Sequence, residues 1–239
     1  MPWLVHALTA SGAFVAYLAL VAIVNSNLRV AFLWLTIATV IDSVDGLLAR
    51  LARVKERAPM LDGARLDDIV DYLTFVFVPA FAIQHAGVLP SGFIGWLVVA
   101  AILFSSAFGF SRQDAKTSDH FFTGFPSYWN IVAVYLVALR LPTAANAIFL
   151  LICAAGVFVP IGYVYPSRTV TLRRVTVASG IVWGIMVVAI IWLLPTPPQW
   201  LVLTSLAYPV YYLALSFVLS PQRRRAVRHR NIEDGSQRH

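Results

Sequence analysis

Long apolar runs, separated by short polar connections, dominate the chain. A helix needs about 20 apolar residues to cross the roughly 30 Å hydrocarbon core of a bilayer, and eight stretches approach that length. They lie near residues 6–25, 30–54, 66–86, 92–111, 126–140, 143–164, 174–194 and 199–220. The fifth is short, so seven spans and a half-helix are an alternative. The pattern predicts an all-α, polytopic membrane bundle of about eight transmembrane helices, formed by residues 1–220 as one domain.

Composition supports this interpretation. The 239 residues are 59% hydrophobic and only 12% charged, and the mean hydropathy is +0.77, whereas a soluble domain is about 45–50% apolar and about 25% charged. The single cysteine, Cys153, excludes a disulfide framework or a multi-cysteine zinc site. Residues 221–239 are polar and rich in arginine, and we expect them to form a disordered basic tail.

Basic residues predict the orientation. If the tail and the connections after even-numbered spans share one side, sixteen of the eighteen Lys and Arg residues lie there, opposite Arg29 and Arg140. The positive-inside rule makes that side, with both termini, cytoplasmic. All eleven acidic residues lie on or near the same side, so a polar site must open there. The net charge of +7 indicates contact with anionic headgroups rather than nucleic acid, because no nucleic-acid motif accompanies it.

Two pairs of aspartates interrupt consecutive apolar spans, one pair at i,i+3 spacing and the other at i,i+4, so each pair shares a helix face. These are Asp42 with Asp45, and Asp67 with Asp71. A lone intramembrane carboxylate is often a packing or proton-relay residue, at a cost of about 2.5–3.5 kcal/mol. Four together favour bound cations, and oxygen ligands suit Mg²⁺, Mn²⁺ or Ca²⁺. Asp62 and Asp68 lie off this face, and we expect them to be solvated or to cap a helix.

Small residues flank the aspartates. Gly46 and Ala49 lie one turn beyond the first pair, and Gly63 lies one turn before Asp67. Such positions let a ligand approach the backbone closely, and the planar guanidinium of Arg50 suits phosphate. The set indicates a site for a pyrophosphate-containing ligand at the membrane surface.

The motif Asp42-x-x-Asp45-Gly46-x-x-Ala49-Arg50, followed by Gly63-x-x-x-Asp67-x-x-x-Asp71, resembles the signature of the CDP-alcohol phosphotransferases. Twelve residues separate Arg50 from Gly63, a longer spacing than the usual one, and in this the chain is similar to the bacterial phosphatidylcholine synthase branch. The segments 114–117, 121–130 and 163–168 resemble the same branch.

This resemblance implies transfer of the phosphatidyl group of CDP-diacylglycerol to choline, giving phosphatidylcholine and CMP, with two divalent cations, Mn²⁺ or Mg²⁺. The implied metal ligands are Asp42, Asp45, Asp67 and Asp71, of which Asp71 is also the general base. The implied contacts of the nucleotide and its phosphates are Asp42, Gly46, Ala49, Arg50, Gly63 and Asp67. The resemblance further implies a homodimer in the bacterial inner membrane, with the site open to the cytoplasm.

The acceptor pocket is less defined. A quaternary ammonium prefers aromatic faces within about 6 Å, but Trp and Tyr also anchor proteins at membrane interfaces. Candidate contacts to choline or lipid are Tyr128, Trp129, Asn130, Arg112, Lys116, Arg168, Tyr165 and Tyr212. The alternatives are another acceptor, such as serine, inositol or glycerol phosphate, and an ion or proton transporter, which would distribute its acids through the membrane depth and carry an inverted repeat.

Three weaker signals complete the sequence. Gly180-x-x-x-Gly184 is a motif of close helix packing, and Pro79 is expected to disturb its helix. The histidines, His6 among them, show no metal-ligand spacing, and we expect them to be structural or interfacial.

Overall fold

The computed structural model describes residues 2–112, 114, 121–164 and 172–220, and the predicted basic tail lies outside them. The described residues are almost entirely helical. In chain order the elements are α1 (Pro2–Val24), α2 (Leu28–Leu51), α3 (Val54–Arg57), α4 (Gly63–Asp71), a π-helical segment (Tyr72–Phe77), α5 (Val78–His85), α6 (Phe93–Ser111), β1 (Phe121–Thr123), α7 (Trp129–Leu139), α8 (Thr143–Gly156), β2 (Gly162–Val164), α9 (Arg173–Trp192) and α10 (Gln199–Ser205).

Within these ranges, five helices are long and apolar enough to cross a membrane. They are α1, α2, α6, α9 and the rod Gln199–Ser220, which begins with α10. The α1–α2 hairpin turns sharply, and the Asn27 side chain caps α2 by accepting a hydrogen bond from the Val30 amide at 3.2 Å. The polytopic helical bundle is confirmed.

The third rod, residues 63–85, changes its hydrogen-bond pattern midway. The Val78 amide donates to the Leu73 carbonyl, five residues earlier, at the end of the π-helical segment between α4 and α5. Pro79 follows immediately, and a proline both lacks an N–H and crowds the preceding turn. The π-helical segment lies directly after Asp71, and such segments are frequent at functional sites.

The predicted sixth span was wrong at its end. We expected a helix over 143–164, but α8 ends at Gly156 and residues 162–164 form β2, which pairs antiparallel with β1. Pro160 cannot continue a helix and disfavours helical geometry before it. Gly124 follows β1 with a φ of +84°, and an added Cβ there would lie 2.2 Å from the Val157 carbonyl oxygen. Only glycine therefore fits this position after the strand.

The fifth span is the short helix α7, and it lies in the core of the bundle. Its hydrogen bonds reach α2, α6 and the rod Gln199–Ser220 through Asn130, Trp129 and Tyr135 respectively. Trp129 is wholly buried. An isolated helix of this length is marginal, so packing on these neighbours holds it.

The connections segregate into two ends. At one end, which we call the arginine-poor end, hydrogen bonds join the α1–α2, α5–α6, α7–α8 and α9–α10 connections. They link Ser26 with His85, Arg29 with Leu194, Arg140 with Pro195, and Asn146 with Val88.

At the other end, the basic end, Val5 at the start of α1 packs with Val54 and Ala58 in the α2–α4 connection. The Gly162 amide of β2 donates to Ser220 at the end of the last rod. Successive connections thus alternate between the two ends of the bundle, as the charge pattern predicted.

Candidate metal and phosphate site

Three of the four predicted carboxylates converge between two helices. Asp42 on α2, and Asp67 and Asp71 on α4, each offer one oxygen, and these oxygens lie within 4.8 Å of one another. All three side chains are half-buried. The i,i+4 spacing on α4 explains why Asp67 and Asp71 point the same way.

Helix α1 fixes the position of α4 beside α2. It packs along α2 and also against α4. Where it meets α4, an added Cβ on Gly12 would lie 2.6 Å from Cγ1 of Val70, the residue before Asp71. Because Gly12 has no side chain, the Asp-bearing turn of α4 approaches closely.

Asp45, the fourth predicted ligand, lies one turn beyond Asp42 on α2. Its side chain is only 4% exposed, and it is not one of the three carboxylates that meet within 4.8 Å. Burying a carboxylate is costly unless a cation or hydrogen-bond donors compensate. The structure therefore brings three predicted ligands together and leaves the fourth buried on the neighbouring turn.

Asp62 caps the helix that carries two of these carboxylates. Its Oδ1 accepts hydrogen bonds from the Ala64 and Arg65 amides at 3.1 and 3.2 Å, which are among the amides that lack helical partners at a helix start. The expected capping role is confirmed for Asp62. Asp68 lies on the same helix but outside the converging group.

The two predicted glycines have different surroundings. An added Cβ on Gly46 would meet only Nη1 of Arg50, at 3.7 Å, whereas one on Gly63 would lie 2.9 Å from Cε1 of His6. Space is thus open beside Gly46, next to the exposed Arg50. Ala49 is half-buried and packs on the cluster of Val5. A side chain at Gly63 would crowd His6.

His6 is the neighbour that the sequence did not predict. Its side chain is 7% exposed, and its Nε2 has no hydrogen-bond partner among the described residues. No spacing relates this residue near the start of α1 to Gly63. Only the packing of α1 on α4 reveals the contact.

The residues of the predicted acceptor segment differ in their distance from the carboxylates. Nδ2 of Asn130 donates to Oγ1 of Thr39 at 3.2 Å, one turn before Asp42. The Tyr128 ring lies 6.4 Å from the ring of Phe75, one turn after Asp71. Trp129 instead donates its indole N–H to Ser106 at 2.7 Å and is fully buried, so it is a packing residue.

Two other predicted contacts have partners within the fold. Arg112 donates to both carboxylate oxygens of Asp114 at 2.8 and 2.7 Å, and this hydrogen bond lowers the pKa of the Asp114 carboxyl below its ordinary value. The hydroxyl of buried Tyr212 donates to the Val164 carbonyl at 3.0 Å. Lys116, Tyr165 and Arg168 lie outside the described residues.

The three converging carboxylate oxygens could share a bound cation. Like charges a few ångströms apart disfavour simultaneous ionisation, and a divalent cation removes that repulsion. The donor set consists of hard oxygens, which fits Mg²⁺, Mn²⁺ or Ca²⁺ better than softer metals. The residues present therefore suit a divalent metal site.

Comparison with known proteins gives consistent relatives, although no protein-family model matches the chain. A phosphatidylcholine synthase of Legionella pneumophila is 40% identical over 223 residues, covering 90% of this chain and 87% of the relative. That of Pseudomonas aeruginosa is 41% identical over 181 residues, 76% of each chain. That of Borreliella burgdorferi is 37% identical over 182 residues, 76% of this chain and 77% of the relative.

Proposed function

The chain belongs to the phosphatidylcholine synthase family, and from that membership we propose that it transfers the phosphatidyl group of CDP-diacylglycerol to choline and releases CMP. Membership and the five long apolar helices make it a multi-pass membrane transferase of phospholipid synthesis. The identity of the donor, the metal requirement and the roles of individual residues are the proposal.

The observation that carries the proposal is the convergence of Asp42, Asp67 and Asp71. We propose that these three, together with Asp45 on the adjacent turn of α2, hold two divalent cations, Mn²⁺ or Mg²⁺. Bound there, the cations would neutralise the pyrophosphate and stabilise the departing CMP oxygen. Arg50, beside the open space at Gly46, would contact the phosphates through its planar guanidinium.

Asp71 is the proposed general base. Its carboxylate takes the proton of the choline hydroxyl as that oxygen attacks the phosphorus next to diacylglycerol. The new P–O bond to choline forms while the P–O bond to CMP breaks. Positioning and electrostatics supply most of the rate enhancement in such transfers, so the relative placement of α2 and α4 is the main contribution of the fold.

Tyr128 is the best-supported candidate for a choline contact. Choline cannot donate a hydrogen bond from its quaternary nitrogen, and such cations bind to aromatic faces. Among the predicted aromatic residues, Tyr128 lies beside Phe75, on the rod that carries Asp71. Trp129 is committed to Ser106, which leaves Tyr128 as the residue to test.

We infer that the site faces the cytoplasm of a bacterial inner membrane. The carboxylates lie toward the basic end of the bundle, and the positive-inside rule makes that end cytoplasmic. Both termini would then be cytoplasmic. A homodimer is part of the same proposal, on the strength of the family resemblance.

The decisive experiment is a headgroup assay on the purified protein in detergent micelles. CDP-diacylglycerol and Mn²⁺ or Mg²⁺ are supplied with labelled choline, serine, inositol or glycerol phosphate, and both labelled lipid and CMP are measured. We expect choline alone to enter lipid, in equal amount to CMP. A chelator should stop both products, and added Mn²⁺ or Mg²⁺ should restore them.

Other outcomes would redirect the proposal. Incorporation of serine, inositol or glycerol phosphate would assign a different acceptor, and choline incorporation independent of CDP-diacylglycerol would overturn the donor. Ion flux in proteoliposomes without CMP release would favour a transporter.

A further inference from the structure

Helices α1 and α4 meet at two points where a side chain of one helix lies against a glycine of the other. Near the basic end, an added Cβ on Gly63 of α4 would lie 2.9 Å from Cε1 of His6 on α1. Further along, an added Cβ on Gly12 of α1 would lie 2.6 Å from Cγ1 of Val70 on α4. Each helix thus supplies one side chain and one glycine, and neither contact accepts a methyl group without a shift.

The two contacts have matching spacing along the two helices. His6 and Gly12 are six positions apart in the chain, and Gly63 and Val70 are seven positions apart. At 1.5 Å per residue these separations correspond to about 9 Å and about 10.5 Å. Both helices begin at the basic end and run in the same direction. The pair of contacts therefore fixes the axial position of α4 as well as its distance from α1.

The proposed metal ligands of α4 adjoin these contacts. Gly63, Asp67 and Val70 follow one stripe of the helix, at i, i+4 and i+7, and Asp71 directly follows Val70. Moving the Cβ of an alanine at position 63 from 2.9 Å to an ordinary contact of 3.4 Å requires a shift of about 0.5 Å, whereas metal–ligand distances hold within about 0.2 Å. Such a shift of α4 would displace both carboxylates relative to Asp42.

Neither side chain is free to move aside. His6 is 7% exposed, and the Trp3 ring packs edge-on against it with the ring centroids 6.2 Å apart. Val70 is buried, and a β-branched side chain in a helix has essentially one χ1 rotamer. An added methyl group at either glycine should therefore displace the helices rather than the side chains.

We propose that His6 and Gly12 of α1 are positioning residues for the metal site, an inference that rests on the proposed function. Helix α1 carries no acidic residue, yet its two contacts determine where α4 presents Asp67 and Asp71. The proposal also gives Gly63 a role of its own. This glycine provides room for the imidazole ring, independently of any bound nucleotide.

Complementary substitutions test the contact between His6 and Gly63. Gly63→Ala should raise the Kd for Mn²⁺ by about 10–100-fold, the range seen for residues that support metal ligands. His6→Asn removes Cε1 and so vacates space for the methyl group. In the double variant, affinity should therefore recover by at least about tenfold relative to Gly63→Ala. Binding is measured from the electron paramagnetic resonance signal of free Mn²⁺, on purified protein in detergent without lipid donor, so the readout does not depend on turnover.

The second contact gives an independent test. Gly12→Ala should also weaken Mn²⁺ binding, and Val70→Ala should restore it in the double variant. The mismatched pair, Gly12→Ala with His6→Asn, should show no recovery. The matched control is Gly184→Ala on α9, because an added Cβ there would meet nothing within 4 Å, and it should bind Mn²⁺ as the wild type does. Thermal unfolding of each variant separates displacement of α4 from misfolding.

The outcomes separate this proposal from the proposed function. Wild-type Mn²⁺ affinity in Gly63→Ala, or a double variant that binds no better than Gly63→Ala, would overturn the role of His6. If both matched pairs recover but the wild type forms no product from CDP-diacylglycerol and choline, the positioning role stands and the proposed reaction fails. A wild type that binds no Mn²⁺ would overturn the metal site, and this inference with it.

Discussion

The two ends of the bundle use charge in opposite ways. At the arginine-poor end, Arg29 donates to the carbonyl of Leu194 and Arg140 donates to that of Pro195. Each cation there is bound to the backbone of the fold itself. Toward the basic end, one carboxylate oxygen from each of Asp42, Asp67 and Asp71 lies within 4.8 Å of the others, an arrangement that could hold a metal ion.

This difference separates stability from chemistry. A hydrogen bond from a guanidinium to a backbone carbonyl helps to hold two connections together, and it does so without a bound ligand. Converging carboxylate oxygens suit a bound divalent cation, because hard cations such as Mg²⁺ and Mn²⁺ take several oxygen ligands at once. Substitutions at the carboxylates should therefore change activity or metal dependence, whereas substitutions at the arginine-poor end should change the unfolding temperature. The expected effects are given below from the largest to the smallest.

The largest expected effect is that of Asp71→Asn. Loss of a general base typically lowers turnover by about 10²–10⁴-fold, and we expect kcat for CMP release to fall by that factor. Nucleotide binding, measured with a labelled CDP-diacylglycerol analogue, should remain largely intact, as should the unfolding temperature. Asp68→Asn, on the same helix but outside the convergence, is the matched control. Wild-type kcat in Asp71→Asn would remove this residue as the base.

Asp45→Asn tests whether the buried fourth carboxylate belongs to the site. If Asp45 completes the metal set, the Mn²⁺ concentration for half-maximal activity should rise by about 10–100-fold, the range seen for residues that support metal ligands. Excess Mn²⁺ should then restore much of the rate. An unchanged Mn²⁺ titration would reduce the site to the three carboxylates that already converge.

Helical periodicity explains how much of this site the sequence could predict. Apolar runs and the i,i+4 spacing of Asp67 and Asp71 are local, so the spans and the shared face on α4 follow from the chain alone. For Asp42 and Asp45, i,i+3 spacing leaves a rotation of about 60° between the two side chains. Which of them faces α4 depends on how α2 packs.

Other features required contacts between distant segments. The ladder of β1 with β2 joins residues far apart in the chain, and no local pattern separates 162–164 from the end of an apolar helix. Similarly, the contact between His6 and Gly63 joins the start of α1 to the start of α4, and no spacing in the sequence predicts it. Pro160 was a local signal for the end of α8 that the apolar run concealed.

At the arginine-poor end, the double variant Arg29→Gln with Arg140→Gln should affect stability rather than chemistry. Each hydrogen bond contributes about 0.5–1.5 kcal/mol net, so we expect the unfolding temperature in detergent to fall by a few degrees. Specific activity per folded protein and the Mn²⁺ titration should be unchanged. Arg57→Gln, an exposed arginine at the basic end, is the control. A loss of metal affinity in the double variant would contradict the division between the ends.

The smallest effect is expected where the basic end contains an ordinary ion pair, Arg112 with Asp114. The hydrogen bond from Arg112 lowers the pKa of the Asp114 carboxyl, so any stabilisation is present above the ordinary aspartate pKa and is lost as the pH falls through the lowered value. Because Asp114 is 64% exposed, solvent screens the pair. Asp114→Asn should therefore match the wild type in unfolding temperature and CMP release between about pH 5 and 8. A clear loss of activity at neutral pH would instead place this pair with the converging carboxylates, as part of the site.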